Sequence, residues 1–305
     1  MSKYIVTGSE GFIGKALVAF LVAQGHEVIG IDRKNGDEAS DIGKFLVSND
    51  DVAGVFHLAA QTSVFNPEIE QIRKDNIDTF ITVCNQCSYA GVRLVYASSS
   101  TAAPGNATSM YGISKRFDEL YARLYHDDAW GVRLHNVYGP DPREGTLLWH
   151  LMNDDVVDIF NMGYNTRHFT HIDDAVRGLY QVMTDESLLK LGSKVFNLAN
   201  PNAMSVTEFA SEVSARNGVR LVFRGAAAAR DNSVQRIDDK IVLLSLRYKT
   251  VEEGLDAVLG KRASSGPCEP VQLCLRLAFL ASFPIISGVS IWVVNLLTSS
   301  VLMGP

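Results

Sequence analysis

Short apolar runs alternate with longer amphipathic stretches over roughly the first 200 residues of the chain. The runs have the length of strands and lie at 4–7, 27–32, 54–58, 93–98, 132–137 and 194–198. Between them, apolar residues recur three and four positions apart, which predicts helices over 11–23, 76–90, 111–129 and 172–183. Strands that alternate with helices are typical of a parallel sheet covered on both faces. The pattern therefore predicts an α/β fold with a doubly wound parallel sheet, a Rossmann fold.

Beyond about residue 140 the predicted elements become shorter, and polar loops separate them. Ser205 with Glu208, and Thr250 with Glu253, have the spacing of capping boxes, which predicts helices over 205–217 and 250–259. We expect a smaller C-terminal substrate domain over the carboxyl ends of the strands, where α/β proteins bind ligands. The expected boundaries are 1–140 for the nucleotide-binding domain, with 171–200 returning to it, and 141–170 with 201–260 for the substrate domain.

The segment 261–305 differs in composition from the rest of the chain. No charged residue occurs from 277 to 305, whereas Lys261, Arg262 and Arg276 precede that stretch. About 20 apolar residues suffice to span a bilayer, although Pro284 and Asn295 interrupt this run. Three alternatives stay open: a membrane-associating tail, a helix buried against the body or a second subunit, and an extension foreign to the original gene.

Composition narrows the class of protein. A 47% hydrophobic and 20% charged chain is typical of a globular protein with a core, and a net charge of −6 disfavours a nucleic-acid partner. Four cysteines do not form a disulfide framework, and the first strand follows the start directly, so we expect a cytoplasmic protein without a signal peptide. Cys84 and Cys87 follow the apolar pattern of a helix, and we therefore expect no metal site.

The turn after the first strand indicates a dinucleotide site. Gly8, Gly11 and Gly14 lie between that strand and an apolar helix, where glycines let the backbone approach a pyrophosphate and the helix N-terminus offers free N–H groups. Asp32 ends the next apolar run, 18 residues beyond Gly14, where a carboxylate can hold the adenosine ribose. The adjacent Arg33 could instead accept a 2′-phosphate, although the Asp32–Arg33 pair favours NAD over NADP.

A second set of residues predicts acid–base chemistry beside that site. Ser98, Ser99 and Ser100 follow the strand at 93–98, and Tyr111 and Lys115 begin the next helix. Residues four apart share a helix face, so the phenol and the ammonium can point into one cleft. A positive charge near a phenol favours the phenolate, which is how a tyrosine becomes a usable base near neutral pH.

With these motifs the chain resembles the extended short-chain dehydrogenase/reductase family, in its NAD-dependent epimerase/dehydratase branch, and most of all the UDP-glucose 4-epimerases. The resemblance covers residues 1 to about 259. It rests on nine motifs in order: Thr7–Gly14, Asp32, Asp41–Ile42, His57–Ala60, Asp75–Asn76, Ser98–Ser100, Tyr111–Lys115, Arg133–Pro140 and Arg167–Asp174.

The resemblance implies roles for matching positions. It implies that Ser100, Tyr111 and Lys115 are catalytic, and that Asp41–Ile42 meet the adenine edge. It implies substrate contacts for Ser100, Asn136, Arg167 and Asp231. The remaining implied cofactor contacts are Gly8, Gly11, Phe12, Ile13, Gly14, Asp32, Arg33, Leu58, Ala59, Ala60, Asn76 and Ser98, together with Tyr111 and Lys115.

The implied reaction is a transient oxidation of a nucleotide sugar by bound NAD, with Tyr111 as base, a 4-keto intermediate and inversion at C4 of a UDP-hexose. The resemblance also implies a homodimer formed through two helices of the cofactor domain. Dehydratases of this branch carry Thr-Asp-Glu after the first serine, where this chain has Ser-Ser-Thr-Ala. Dehydration, decarboxylation, reduction and a non-catalytic NAD-binding scaffold are the alternatives.

Three departures from the pattern bear on the substrate. The stretch between Ser100 and Tyr111 is short, the region between Asp32 and Asp41 lacks a strand and a helix, and Ala228 stands where relatives carry a phosphate-binding arginine. These differences flank the predicted cleft. They affect the expected substrate more than the expected fold.

Overall fold

A computed structural model describes residues 1–62, 68–105, 109–225 and 237–260 of the chain. Asp231, Ala228 and the segment 261–305 lie outside these residues, and so do the predictions that concern them. Within the described ranges, no helix combines the length and the apolar character needed to cross a bilayer.

The centre of the fold is a seven-stranded sheet in which all paired strands are parallel. Its strand order is β13-β10-β5-β4-β3-β1-β2. The strands are β1 (Lys3–Thr7), β2 (Glu27–Ile31), β3 (Val52–His57), β4 (Leu94–Ser99), β5 (Ala129–Leu134), β10 (Val195–Leu198) and β13 (Val242–Leu243). The predicted doubly wound parallel sheet is confirmed.

Helices cover both faces of this sheet, and those that do so present an apolar stripe to it. The helices are α1 (Phe12–Ala23), α2 (Ile42–Ser48), α3 (Ile69–Ile72), α4 (Thr79–Ala90), α5 (Met110–Tyr125), α6 (Leu147–Asn153), α7 (Ile172–Thr184), α8 (Glu186–Leu189), α9 (Val206–Asn217) and α10 (Val251–Leu259). One core joins α1 and α7 to the sheet, with Leu17 and Leu179 fully buried. The other joins α2, α4 and α5, with Phe80 and Cys84 fully buried.

A second, smaller core lies beyond the main sheet. It contains Leu151, Phe169 and Phe209, and the rings of Phe169 and Phe209 stack with centroids 3.9 Å apart. Both predicted capping boxes are present, at Ser205–Glu208 and Thr250–Glu253. The short strands around this core are β6 (Val137–Tyr138), β7 (Val156–Ile159), β8 (Thr166–Arg167), β9 (Thr170–His171), β11 (Met204–Ser205) and β12 (Arg220–Phe223).

Two predicted boundaries are wrong. The helix predicted over 111–129 ends at Tyr125, because His126 takes an extended conformation and its ring bonds the carbonyl oxygen of Val92. The strand predicted over 132–137 therefore lies earlier, at Ala129–Leu134. In addition, β13 belongs to the main sheet, so part of the stretch 201–260 returns to the nucleotide-binding domain.

The connection that follows β2 is the region predicted to lack a strand and a helix of the family pattern. Between β2 and β3 the chain forms two 3₁₀ turns and α2, and β2 is the end strand of the sheet. The first of these turns spans Arg33–Asn35, and the second spans Ala39–Asp41. They place Arg33 and Glu38 beside the carboxyl ends of β1 and β2.

Candidate active site

The glycine turn between β1 and α1 is closely packed. Gly8 has a φ of +72°, and a Cβ there would lie 2.7 Å from the backbone nitrogen of Ala59. A Cβ on Gly14 would lie 1.9 Å from the carbonyl oxygen of Gly8. No side chain of the described residues caps the first turn of α1, whose N-cap residue is Gly11. The turn therefore leaves room for a phosphate beside free helical N–H groups.

Asp32 lies at the carboxyl end of β2, facing this turn. Its carboxylate accepts hydrogen bonds from the backbone nitrogens of Glu10 and Lys34, both at 3.0 Å. These bonds fix the side chain beside the glycine turn. A fixed carboxylate at this position can accept hydrogen bonds from ribose hydroxyls.

Tyr111 and Lys115 lie on the first two turns of α5, at the other end of the same cleft. Lys115 is buried, and its Nζ lies 3.2 Å from Oδ2 of Asp118, which is fully buried. Among the residues that the structure describes, the Oδ1 atom of Asp118 finds no hydrogen-bond partner. Burial raises the pKa of Asp118 to about 7, against the attraction of Lys115. Sequence reasoning missed this pair, since Asp118 matches no motif of the resemblance.

His57 lies behind Lys115 at the end of β3. It is buried and its Nδ1 lies 2.7 Å from the hydroxyl of Thr7. Burial, together with the charge of Lys115, lowers the pKa of His57 to about 3. The ring is therefore neutral, and it supports the loop that begins at Leu58.

Ser98 takes part in a buried polar network below the cleft. Its hydroxyl donates to Oε1 of Glu119 at 2.7 Å, and the Arg133 guanidinium donates to both Glu119 oxygens at 2.7 and 2.8 Å. Arg133 also donates to Asp238 at 2.9 Å. The network joins β4, β5 and α5 to the segment before β13, and it fixes the strand end that carries Ser98.

The cleft enclosed by these elements has a volume of about 650 Å³. It brings together residues that lie more than a hundred positions apart in the sequence. The predicted site residues that line it are Gly8, Gly11, Phe12, Ile13, Gly14, Asp32, Arg33, Leu58, Ala59, Ala60, Ser98, Tyr111, Lys115 and Asn136. Asn136 has a φ of +33°, an uncommon conformation that asparagine tolerates better than most residues.

Five predicted residues do not line this cleft in the described part of the chain. Ile42, the first residue of α2, is fully buried in the core and does not line the cleft. Asp41 pairs with Lys44, and Ser100 is buried in the 3₁₀ turn Ser100–Ala102. The other two are Asn76, which bonds Gln61 and Ser114, and Arg167, which is buried on β8.

The cleft also contains residues that sequence reasoning did not select. At the end of the cleft that contains Asp32, Glu38 and Asp75 lie beside Arg33. The sequence offered a signal for Asp75 alone, because it belongs to the Asp75–Asn76 motif of the resemblance. On the opposite side, Arg143 donates to the hydroxyl of Thr62. No sequence signal marked Arg143, because it follows the Tyr138–Pro140 motif in a loop.

This set of residues fits a nicotinamide adenine dinucleotide. A phosphate-sized cradle lies at the glycine turn, a fixed carboxylate lies at one end, and a phenol with an ammonium lies at the other. The fold and the cleft therefore define a protein of the dinucleotide-binding class.

Comparison with known proteins gives the family. The sequence profile of the NAD dependent epimerase/dehydratase family matches residues 4–199, more than half of the chain. The chain belongs to this family, and its cofactor is NAD.

Individual relatives are moderately similar. Protein CapI of Staphylococcus aureus is 28% identical over 280 residues, covering 71% of this chain and 84% of CapI. The UDP-glucuronate 4-epimerase of Thermodesulfobacterium geofontis is 28% identical over 260 residues, covering 68% of this chain and 78% of the relative. The solved structure of MoeE5 with UDP-glucuronic acid and NAD has a TM-score of 0.69 at 25% identity, covering 85% of this chain and 98% of MoeE5.

Proposed function

We propose that the protein is a nucleotide-sugar epimerase that inverts C4 of a UDP-hexose through a transient 4-keto intermediate. One observation carries the proposal: Tyr111 and Lys115 line the same cleft as the glycine turn and Asp32. The relatives named above support the substrate class, since one is a UDP-glucuronate 4-epimerase and another binds UDP-glucuronic acid together with NAD.

In this proposal Tyr111 acts as the base. Tyr111 removes the proton of the sugar 4-hydroxyl, and Lys115 lies four residues further on the same helix, beside it in the cleft. Ser100, which the resemblance implies as the residue that orients this hydroxyl, is buried in the 3₁₀ turn Ser100–Ala102 and does not line the cleft among the described residues, whereas its neighbour Ser99 does. Bound NAD would supply the hydride acceptor for C4 and, in its reduced form, the hydride donor for the return step. Inversion requires that the keto sugar rotate between the two hydride transfers. The site should therefore bind the nucleotide tightly and the hexose loosely.

Elimination of water is the second reaction that the family name includes. It requires an acid that protonates the leaving hydroxyl. The positions after Ser100 are Thr101 and Ala102, and the Thr101 hydroxyl bonds Ser99 at 2.9 Å. A carboxylic acid is thus absent from the place where the resemblance puts it in dehydratases, which supports epimerisation.

The test is conversion by the purified full chain with NAD. UDP-glucose, UDP-galactose and their N-acetyl and uronic counterparts are incubated separately, and the products are resolved chromatographically. We expect a C4-inverted product without net formation of NADH. Stoichiometric NADH, released CO₂ or a dehydrated sugar would each replace the proposed reaction with oxidation, decarboxylation or dehydration. Retention of NAD with no product from any sugar would favour the non-catalytic scaffold.

We also propose that the protein forms a homodimer through the outer faces of α4 and α5. Leu120, Leu124 and Tyr125 on α5 are at least half exposed, and Tyr89 on α4 is 84% exposed. Exposed apolar side chains grouped on adjacent helices favour a protein partner. Light scattering should show that Leu124→Glu converts a dimer to a monomer. Val47→Glu, a matched change at an equally exposed residue of α2, should leave the dimer intact.

A further inference from the structure

The adenosine end of the cleft contains an arginine that is already engaged on two sides. Arg33 directly follows the ribose-binding candidate Asp32. Its Nη2 lies 2.6 Å from Oδ1 of Asp75, and its Nη1 lies 3.0 Å from Oδ2 of the same carboxylate. Its Nε donates to Glu38 at 2.8 Å. All four residues line the cleft.

This arrangement bears on which dinucleotide can bind. An acid at the end of the second strand holds the 2′-hydroxyl of the ribose, whereas a nearby arginine accommodates a 2′-phosphate. A guanidinium binds a phosphate with the same planar pair of N–H groups that it offers to a carboxylate. In this chain Asp75 occupies that pair of donors, and Glu38 occupies Nε.

Asp75 is well placed to hold the arginine. Its side chain is 9% exposed, and it accepts a further hydrogen bond from Nε2 of Gln71. It lies on the π-helical segment Arg73–Asp78, next to Asn76, which bonds the backbone of Gln61 on both sides of its amide. Release of Arg33 would leave the Asp75 carboxylate largely buried without its main partner, which is costly.

The local charge also disfavours a 2′-phosphate at this end of the cleft. Asp32, Glu38 and Asp75 contribute three carboxylates against the single guanidinium of Arg33. Lys34 points away, with its Nζ 3.5 Å from the carbonyl oxygen of Glu10, and it lines a neighbouring groove. A 2′-phosphate would therefore enter a site of net negative charge, and repulsion would weaken its binding.

We propose that Asp75 is a specificity-determining residue that makes the site select NAD over NADP, by holding the Arg33 guanidinium away from the ribose 2′-position. Asp32 recognises the free hydroxyl, and Asp75 with Glu38 removes the cation that would recognise a phosphate. The inference concerns the cofactor site and is independent of the proposed epimerisation. Its test needs no turnover.

The experiment measures the affinities of the full chain for NADH and NADPH, by titration of reduced-nicotinamide fluorescence after bound coenzyme has been removed. Wild type should prefer NADH. Asp75→Asn should improve the affinity for NADPH relative to NADH by about tenfold, the size expected for a charge-assisted hydrogen-bond pair gained by the phosphate. Asp75→Asn with Arg33→Met should lose this gain, because the freed guanidinium is its source.

Asp78→Asn is the matched control. Asp78 lies on the same segment and also pairs with an arginine, Arg73, yet it does not line the cleft. It should leave the NADPH to NADH ratio unchanged. An Asp75→Asn protein with an unchanged ratio, or one whose gain persists without Arg33, would overturn the proposal.

Arg33→Met alone gives an independent check if Asp75→Asn does not fold. In the wild-type background Arg33 should contribute nothing to NADPH binding, so its removal should change the ratio by less than about twofold. A large loss of NADPH affinity would show that Arg33 already reaches the 2′-phosphate, and it would overturn the proposal.

Discussion

Asp118 and Glu119 are adjacent on α5, and both are buried, but their surroundings differ. Glu119 accepts hydrogen bonds from Ser98, Arg116 and Arg133, so both of its oxygens are satisfied. Asp118 is bonded to Lys115 through one oxygen, and the other oxygen has no partner within the described part of the chain. Buried polar networks stabilise a fold only when every member is satisfied.

The difference separates two functions of one helix. The network around Glu119 holds together the strand ends that form the floor of the cleft. The pair of Lys115 and Asp118 adjoins the cleft itself, and its unsatisfied oxygen costs stability. Incompletely compensated charges of this kind concentrate at functional sites. Substitutions in the cleft should therefore affect the rate, and substitutions in the network should affect the fold.

The largest effect is expected from Tyr111→Phe. Loss of a general base lowers the rate by about 10²- to 10⁴-fold, here measured as turnover of the UDP-sugar that the wild type converts. The free energy of unfolding and the affinity for NADH should change little, because the phenol only borders the cleft. Tyr164→Phe, the same change at an exposed residue outside the cleft and outside the proposed dimer surface, is the control. A Tyr111→Phe enzyme with more than about a tenth of the wild-type rate would show that another group is the base.

Next in size is Arg133→Met, which should destabilise the fold. The Arg133 side chain is 1% exposed, and its loss leaves the Glu119 carboxylate buried without its main cation. Removing one partner of a buried ion pair costs about 3–5 kcal/mol, measured by urea unfolding. Arg123→Met, at an exposed position of α5, the helix that carries Glu119, should cost less than about 0.5 kcal/mol. If both variants lost equal stability, the network would not be what stabilises the fold.

Asp118→Asn should change how stability depends on pH. The folded pKa of Asp118 is about 7, raised from 3.8 by burial. A carboxyl with a raised folded pKa contributes stability that is present below its unfolded pKa and is lost as the pH rises through the folded pKa. Wild type should therefore lose stability relative to Asp118→Asn between pH 5 and pH 8, by about 1–3 kcal/mol. Urea unfolding of both proteins at the two pH values measures this. A difference that stays constant with pH would show that Asp118 does not titrate in this range.

The location of the cleft and the order of the elements around it could largely be predicted from the sequence. The glycine turn, Asp32, and the Tyr111 and Lys115 pair are local patterns, and the structure brings them to one cleft. The order of strands and helices follows from their periodicity in the same way. The helix end at Tyr125 was missed, since a hydrogen bond from His126 to Val92, 34 positions away, determines it.

The charge partners could not be predicted, because they join distant parts of the chain. Arg33 meets Asp75 across 42 positions, and Arg133 meets Asp238 across 105. Asp118 lies only three residues from Lys115, but burial is what gives the pair its properties, and a sequence pattern does not measure burial. Local motifs were therefore sufficient to predict where the site lies, whereas its charge pairs could be identified only from the three-dimensional structure.

The smallest effect is expected from Arg116→Gln, which tests whether burial or the number of partners gives the network its strength. Arg116 donates to Oε2 of Glu119 at 3.0 Å, close to the 2.8 Å of the bond from Arg133, but its side chain is 40% exposed. Exposed pairs contribute about 0–1 kcal/mol, and salt screens them. Urea unfolding should therefore show a loss of less than about 1 kcal/mol that shrinks in high salt, against the several kcal/mol for Arg133→Met. Both arginines donate to the same oxygen of Glu119, so equal losses of stability would mean that burial does not determine how much each bond contributes. The contrast between the network and the cleft would then need another cause.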